Sequence, residues 1–190
     1  MAEADERQLL AQAQKGDLAC FAQVVELYQA RVVAAALRIL GDRRLATEAA
    51  HEAFVRLYRS LHRVDTGRPF YTYLYRIVVN VCRDLAKRDR RRAGICSWDD
   101  ETADDADSEA DVAGQTESAE FFALVRLLAG RLGVKQRAAF VLRDLEGLEV
   151  SEVARVLGCR ESTVRSHLTL ARRTLREIIE REFPEFLEGR

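Results

Sequence analysis

The chain has 190 residues, 48% of them hydrophobic, with two prolines and ten glycines. That length suits one large domain or two small ones, and the abundance of Ala, Leu, Arg and Glu favours helix over sheet, so the expected fold is all-α. The net charge of −1 hides an uneven spread: ten Asp or Glu and no Lys or Arg lie between Ala93 and Val125, which leaves +9 on the other 157 residues.

A basic body interrupted by an acidic strip points to a negatively charged partner, of which nucleic acid is the usual one. Cys20, Cys82, Cys96 and Cys159 are scattered without a Cys-x-x-Cys pair, and His51, His62 and His167 are equally dispersed. Metal-ligand spacing is absent, and no metal or cofactor is expected. The cysteines read as reduced thiols, and Cys20, Cys82 and Cys159, beside apolar helix positions, as structural ones. The N-terminal MAEADERQLL lacks the basic and apolar parts of a signal peptide, and no apolar run is expected to reach membrane-spanning length. These features predict a soluble, cytoplasmic protein with no membrane insertion.

In chain order, a short helix is expected over about Asp5–Lys15, closed by Gly16, with Asp17 capping the next. The second helix places Phe21, Val25, Tyr28, Val32, Ala35 and Ile39 on one stripe and ends at Gly41. A third runs from about Asp42 to Leu61 with Ala50, Phe54, Leu57, Tyr58 and Leu61 inward. After the loop His62–Arg68, Pro69 suits the first turn of a fourth helix reaching about Arg92. Phe70, Leu74, Ile77, Val78, Val81 and Leu85 form its apolar face. The other side carries Tyr73, Arg76, Asn80, Arg83 and Lys87, an aromatic, an amide and three cations in one row. Such a row suits an opened nucleic-acid strand: the tyrosine stacks on an unpaired base, the amide bonds a base edge and the cations hold phosphates.

Residues 93–118 have few apolar positions and read as a flexible acidic linker, with Trp98 out of place in it. They divide the chain into units at 1–92 and 119–190. In the second unit, helices are expected over about Ala119–Arg131 and Lys135–Leu145. Then Ser151 is expected to cap a short helix with Val153, Ala154, Val156 and Leu157 inward, Gly158 to end it, and Ser162 or Thr163 to cap a longer one. On the longer helix Val164, Leu168, Ala171, Leu175 and Ile178 make a continuous apolar face. Its outer face holds Arg165, Ser166, His167, Thr169, Arg172, Arg173 and Arg176. Short helix, glycine turn and longer basic helix match a helix-turn-helix that reads the major groove. Residues at the start of the second helix would meet base edges, and Arg172, Arg173 and Arg176 phosphates.

These stretches together resemble the extracytoplasmic-function (ECF) group of bacterial sigma-70 factors. FYTYLYRIVVNVCRDLAKRDRRR is similar to that family's promoter-melting helix, and RAAFVLRDLEGLEVSEVARVLGCRESTVRSHLTLARRTLRE to its C-terminal helix-turn-helix domain. GDLACFAQVVELYQ and TEAAHEAFVRLYRSL match the remaining N-terminal helices, so the likeness runs from about Leu9 to Glu177. The resemblance implies an alternative sigma factor, not an enzyme, that binds RNA polymerase core and promoter DNA. It assigns polymerase docking to Glu48, His51, Glu52, Val55 and Arg59. Capture of flipped −10 bases falls to His62, Arg63 and Val64 in the loop and to Tyr73, Arg76, Asn80, Arg83 and Lys87. Reading of the −35 element falls to Arg160, Glu161, Ser162, Thr163, Arg165, Ser166, His167, Thr169, Arg172 and Arg173. An anti-sigma factor is a further implied partner, and the acidic linker would thread the polymerase cleft with carboxylates that mimic RNA charge.

The sequence departs from the family pattern at several of these positions. Leu45-Ala46-Thr47-Glu48 stands where the docking motif is usually Asp-rich, Val64 and Tyr73 replace a loop aromatic and a tryptophan, and Gly133 replaces a Leu-Pro pair. His167 and Leu170 occupy positions that are often arginine, which predicts a shallower salt dependence of DNA binding. A stand-alone regulator with the same helix-turn-helix is the competing reading, but nothing in the first block resembles a phosphoacceptor or ligand pocket. An enzyme would need a nucleophile–base pair, a phosphate-binding glycine loop or a metal cluster, and the sequence has none of these.

Overall fold

A computed structural model of the chain describes residues 3–92, 125, 127, 128 and 130–184. The expected linker, including Cys96 and Trp98, lies outside the described residues, as does most of the helix expected over Ala119–Arg131. Every regular element among the described residues is helical. They are α1 (Glu3–Gln14), α2 (Leu18–Leu40), α3 (Arg43–Ser60), α4 (Phe70–Arg92), α5 (Val134–Phe140), α6 (Val150–Leu157) and α7 (Glu161–Glu182).

Local chemistry sets most boundaries of the N-terminal bundle. Asp17 caps α2 as expected, its Oδ1 accepting from the backbone N–H of Ala19 at 2.9 Å and of Cys20 at 3.0 Å. These contacts satisfy two donors that the first turn leaves orphaned. Gly41 ends α2 with φ of 73°, and Asp42 caps α3 by accepting from Leu45 N–H at 2.8 Å. α1 anchors the loop before α4: the Gln14 side-chain amide donates to the carbonyls of Leu61 and Val64, at 2.9 and 2.7 Å.

The inward faces differ from the sequence expectation in a few places. Val24 is buried in place of Val25, and Tyr58 on α3 is 49% exposed rather than inward. Phe54 and Ile77 are only half-buried. By length and composition α2 is apolar enough to cross a membrane, contrary to expectation, yet here it packs as a bundle helix with seven buried residues. Cys82 is buried as expected, whereas Cys20 and Cys159 are partly exposed.

In the second unit, the helix expected over Lys135–Leu145 comes in two parts. α5 gives way at Val141–Leu145 to a wider π-helical turn, after which Gly147, at φ of 76°, turns the chain and Leu148 N–H bonds back to the Leu142 carbonyl at 2.9 Å. Gly133 precedes α5, and the buried Gln136 side chain accepts from its N–H at 2.9 Å. The cap of α6 is not Ser151: the helix begins one residue earlier, and Glu152 reaches back to accept from Glu149 N–H at 2.9 Å. Neither Ser162 nor Thr163 caps α7, which starts at Glu161 behind Arg160 in extended conformation.

One buried apolar cluster runs through both units, joining Val78, Val79 and Cys82 of α4 to Ala138, Leu142 and Val153. A smaller cluster holds Leu128 and Leu132 against Ala171 and Ile178. At the turn between α6 and α7, Gly158 has φ of 65° with open space around it. Only the left-handed backbone disfavours a side chain there, so Gly158→Ala should cost about 1 kcal/mol. We expect a melting temperature lower by roughly 2–4 °C, read by thermal denaturation.

Candidate nucleic-acid interface

Three surfaces carry the residues singled out in the sequence. The first is the outer face of α3, where Glu48 and His51 are exposed and Glu52 and Val55 half-exposed, with Arg59 exposed at its end. Glu48 pairs with Arg88 of α4. Arg56 bridges Glu52 at 2.8 Å and Asp84 at 2.9 Å, which holds its guanidinium above the ordinary arginine range, the hydrogen bond to Glu52 being the largest cause. Beside this face Tyr58 leans on Phe21, with ring centroids 5.1 Å apart and planes tilted by 60°. Sequence reasoning put Tyr58 inward because its spacing from Phe54 and Leu61 fits the apolar stripe. The helix instead turns it to the rim, where its ring adds apolar area to a charged surface.

The second surface is the loop before α4 together with the polar stripe along α4. His62 and Arg63 are exposed on a single 3₁₀ turn (Leu61–Arg63), but Val64 is 6% exposed and faces the core. Its side chain therefore props the loop from within. Asp65 shapes the far side of the loop, accepting from Gly67 N–H at 2.9 Å and pairing with Arg68 at 3.1 Å. On α4 the stripe is real: Arg76, Asn80 and Lys87 are exposed, with Tyr73 half-buried at its start and Arg83 half-buried between Asn80 and Lys87. The row ends in an open depression lined by Asp84, Lys87, Arg88, Arg91 and Arg92. Four cations around one carboxylate make this end of the helix an anion-attracting surface.

The third surface is α7. Arg160, Glu161, Ser162, Arg165, Ser166, Thr169, Arg172 and Arg173 are exposed, with Thr163 and His167 half-buried. Several of the cations already have carboxylate neighbours: Arg165 pairs with Glu161 at 2.9 Å, Arg173 with Glu177 at 3.6 Å, and Arg172 grips Asp144 through two bonds of 2.9 and 2.6 Å. The Asp144 bond is the largest cause of a raised Arg172 pKa. Leu170 is half-buried in the smaller core cluster. An arginine in its place would have to reach out of that cluster, which is a packing reason for the thinner basic face.

How these surfaces are joined is visible only in the tertiary structure. α6 and the turn before it rest on α4, and two tyrosines of α4 donate across the junction. Tyr71 donates to Glu152 at 2.5 Å and Tyr75 to Glu146 at 2.5 Å, while Arg31 and Arg38 of α2 approach Glu146 at 3.3 and 3.4 Å. Burial is the main cause that pushes the Tyr75 hydroxyl far above the ordinary tyrosine range, with the bond to Glu146 adding to it. Under the same junction the Arg137 guanidinium is buried near Arg90 and Cys82. Burial lowers its pKa to about 10 and raises that of the Cys82 thiol to about 12.

With these surfaces in place, the likeness to known proteins can be stated. Residues 24–92 match sigma-70 region 2 and residues 122–175 match sigma-70, region 4. The class is therefore that of the sigma-70 transcription initiation factors. The chain is 33% identical over 185 residues to the RNA polymerase sigma-H factor of Pseudomonas aeruginosa, covering 92% of this chain and 94% of that one. It is 30% identical over 175 residues to the ECF RNA polymerase sigma-E factor of Escherichia coli K12, covering 88% and 90%. The solved structure of CnrH in complex with the cytosolic domain of CnrY matches at 26% identity with a TM-score of 0.69, covering 94% of this chain and 99% of that one. The chain belongs to the extracytoplasmic-function group of the sigma-70 family, as its sequence motifs implied, and is an alternative sigma factor that directs transcription by RNA polymerase.

The junction has a consequence in acid. For the Glu152 carboxyl, burial pushes the pKa upward but is outweighed by the bonds from Tyr71 and the Glu149 N–H and by the charge of Arg155, so it titrates below the ordinary glutamate range. A lowered folded value means that these contacts stabilise the fold fully above about pH 4.3, and that the contribution disappears as pH falls through the folded value. Tyr71→Phe should therefore be less stable than the parent at neutral pH and show a flatter loss of stability below about pH 4.3. Urea denaturation at a series of pH values checks this.

Proposed function

We propose that the N-terminal unit, residues 1–92, docks on RNA polymerase core through the outer face of α3 and opens the −10 element with the loop 62–68 and the stripe of α4. The unit at 119–190 then reads the −35 element with the exposed face of α7. The observation that carries this reading is the single row of Tyr73, Arg76, Asn80, Arg83 and Lys87 along α4, beside a loop that presents His62 and Arg63. Melting a duplex needs groups that gain free energy from single-stranded bases, and a stacking ring with an amide and cations provides them.

On α3 the docking residues are Glu48, His51, Glu52, Val55 and Arg59, with Tyr58 and Phe21 supplying apolar area at the rim. On α7 the first turn, Arg160 to Ser166, is aimed at base edges, and His167, Thr169, Arg172 and Arg173 lie further along toward phosphates. Because Arg165 and Arg172 hold carboxylates in the free chain, each must exchange a protein partner for DNA, which lowers the net gain from either contact. CnrH was solved bound to the cytosolic domain of CnrY, and we assign this chain a protein partner of the anti-sigma kind. Its place of action is the cytoplasm, where polymerase and promoters are, and no catalytic step is assigned to it.

Reconstitution with core polymerase and run-off transcription on a mapped promoter tests the reading. Operator binding without polymerase association would instead make the chain a stand-alone regulator. Arg59→Glu should weaken core binding at least tenfold in a competition assay while leaving the melting temperature within about 2 °C. Tyr73→Ala should leave core binding intact and reduce open complexes, scored by permanganate reactivity of the −10 strand. Arg173→Ala should lower promoter affinity for all sequences alike and reduce the salt slope by about one.

A further inference from the structure

Helix α1 lies outside the residues that match sigma-70 region 2, yet it is built into the loop before α4. Glu6, Leu10, Ala13 and Gln14 recur at spacings of four, three and one, which puts them on one face of the helix. Leu10 and Ala13 are buried, and the Glu6 carboxylate accepts a hydrogen bond from the Tyr28 hydroxyl of α2. The Tyr28 ring in turn meets Phe70, the first residue of α4, edge-on, with centroids 5.2 Å apart and planes at 75°. The seat of α1 is thereby tied to the start of α4. At the end of this seated face the Gln14 amide nitrogen, which carries two N–H donors, reaches the carbonyls of Leu61 at 2.9 Å and Val64 at 2.7 Å. These two carbonyls bracket His62 and Arg63, the exposed pair of the loop, and the side chains of Leu61 and Val64 are themselves buried. Each end of the exposed pair is pinned twice, by a buried side chain and by a carbonyl bonded to α1.

We propose that Gln14 is a positioning residue for the capture of −10 bases: it holds the backbone on either side of His62 and Arg63, so that these side chains meet an unpaired base already ordered. An irregular loop has no helix or sheet ladder to satisfy its carbonyls, so a side chain has to do it. A loop that the DNA itself had to order would subtract that lost entropy from binding. Ordering by α1 in the free chain removes the cost in advance. This inference rests on the assignment of the loop 62–68 to the −10 element above.

Holoenzyme reconstituted from core polymerase and the full chain is titrated with a fluorescent single-stranded oligonucleotide carrying the −10 element of a mapped promoter. Gln14→Met keeps the length of the side chain and removes both donors. Gln14→Glu keeps its shape and sets a carboxylate against the two carbonyls. Each should bind the oligonucleotide about tenfold more weakly than the parent, while affinity for core polymerase stays within about twofold. The same Gln14→Met change in a chain that also carries His62→Ala and Arg63→Ala should cost less than about twofold, because no presented pair is left to position. Hydrogen exchange on the free chains reads the loop without DNA. The Val64 amide, which bonds to the Leu61 carbonyl at 3.0 Å, should exchange about tenfold faster in Gln14→Met, with α3 and α4 unchanged. A Gln14→Met chain that binds the oligonucleotide like the parent would overturn the proposal. So would a loss of equal size in the double-alanine background, which would mean that α1 supports the fold alone. If His62→Ala with Arg63→Ala leaves oligonucleotide binding unchanged, the assignment of the loop to the −10 element fails instead, and the exchange result still decides whether Gln14 orders the loop.

Discussion

The arrangement of this protein depends on burial of α4 on two sides. Phe70, Leu74, Val78, Val81 and Leu85 fill the bundle made with α1, α2 and α3, and Tyr75, Val79 and Cys82 are covered by the C-terminal unit. Between these two apolar arcs a narrow polar stripe remains in water. Each fully buried side chain of this size contributes on the order of 1.5–3 kcal/mol relative to exposure, so the helix is fixed in rotation about its axis. That fixed rotation sets where Tyr73, Asn80 and the cations point.

A fixed helix also sets how the surfaces lie relative to one another. Residues on α3 and on the outer side of α4 lie on the same bundle, and two ion pairs tie the helices together, Arg56 of α3 to Asp84 and Arg88 of α4 to Glu48. The roles proposed above require polymerase and an opened strand to be held at once, which a rigid pair of helices with separate outer faces allows. The α1 segment contributes by holding the loop before α4 through Gln14, which keeps His62 and Arg63 presented next to the stripe.

The junction between units has a different character. Its centre is apolar, but its edge is made of groups that are costly to bury alone: Glu146, Arg137 and two tyrosine hydroxyls. Such groups stabilise a contact only when geometry is good, so they favour one docking arrangement over the many that an apolar patch alone would permit.

Much of this was legible in the residues themselves. The cap at Asp17, the stops at Gly41 and Gly158, the stripe on α4 and the helix-turn-helix all follow from short-range rules of spacing and backbone freedom. Those rules act within a turn or two of helix, so a sequence states them directly, while the family followed from the resemblance of whole stretches rather than from these rules. What the sequence did not determine was which exposed-looking positions are covered by a distant part of the chain. Tyr75, Val79 and Glu146 have ordinary local surroundings, and their burial arises only when helices separated by dozens of residues meet. Val64 turned into the core and Tyr58 turned to the rim for the same reason, because the choice between two helix or loop faces was made by the neighbour packed against them. The helix-turn-helix itself was written in the sequence; its attachment to α4 was decided by tertiary contact.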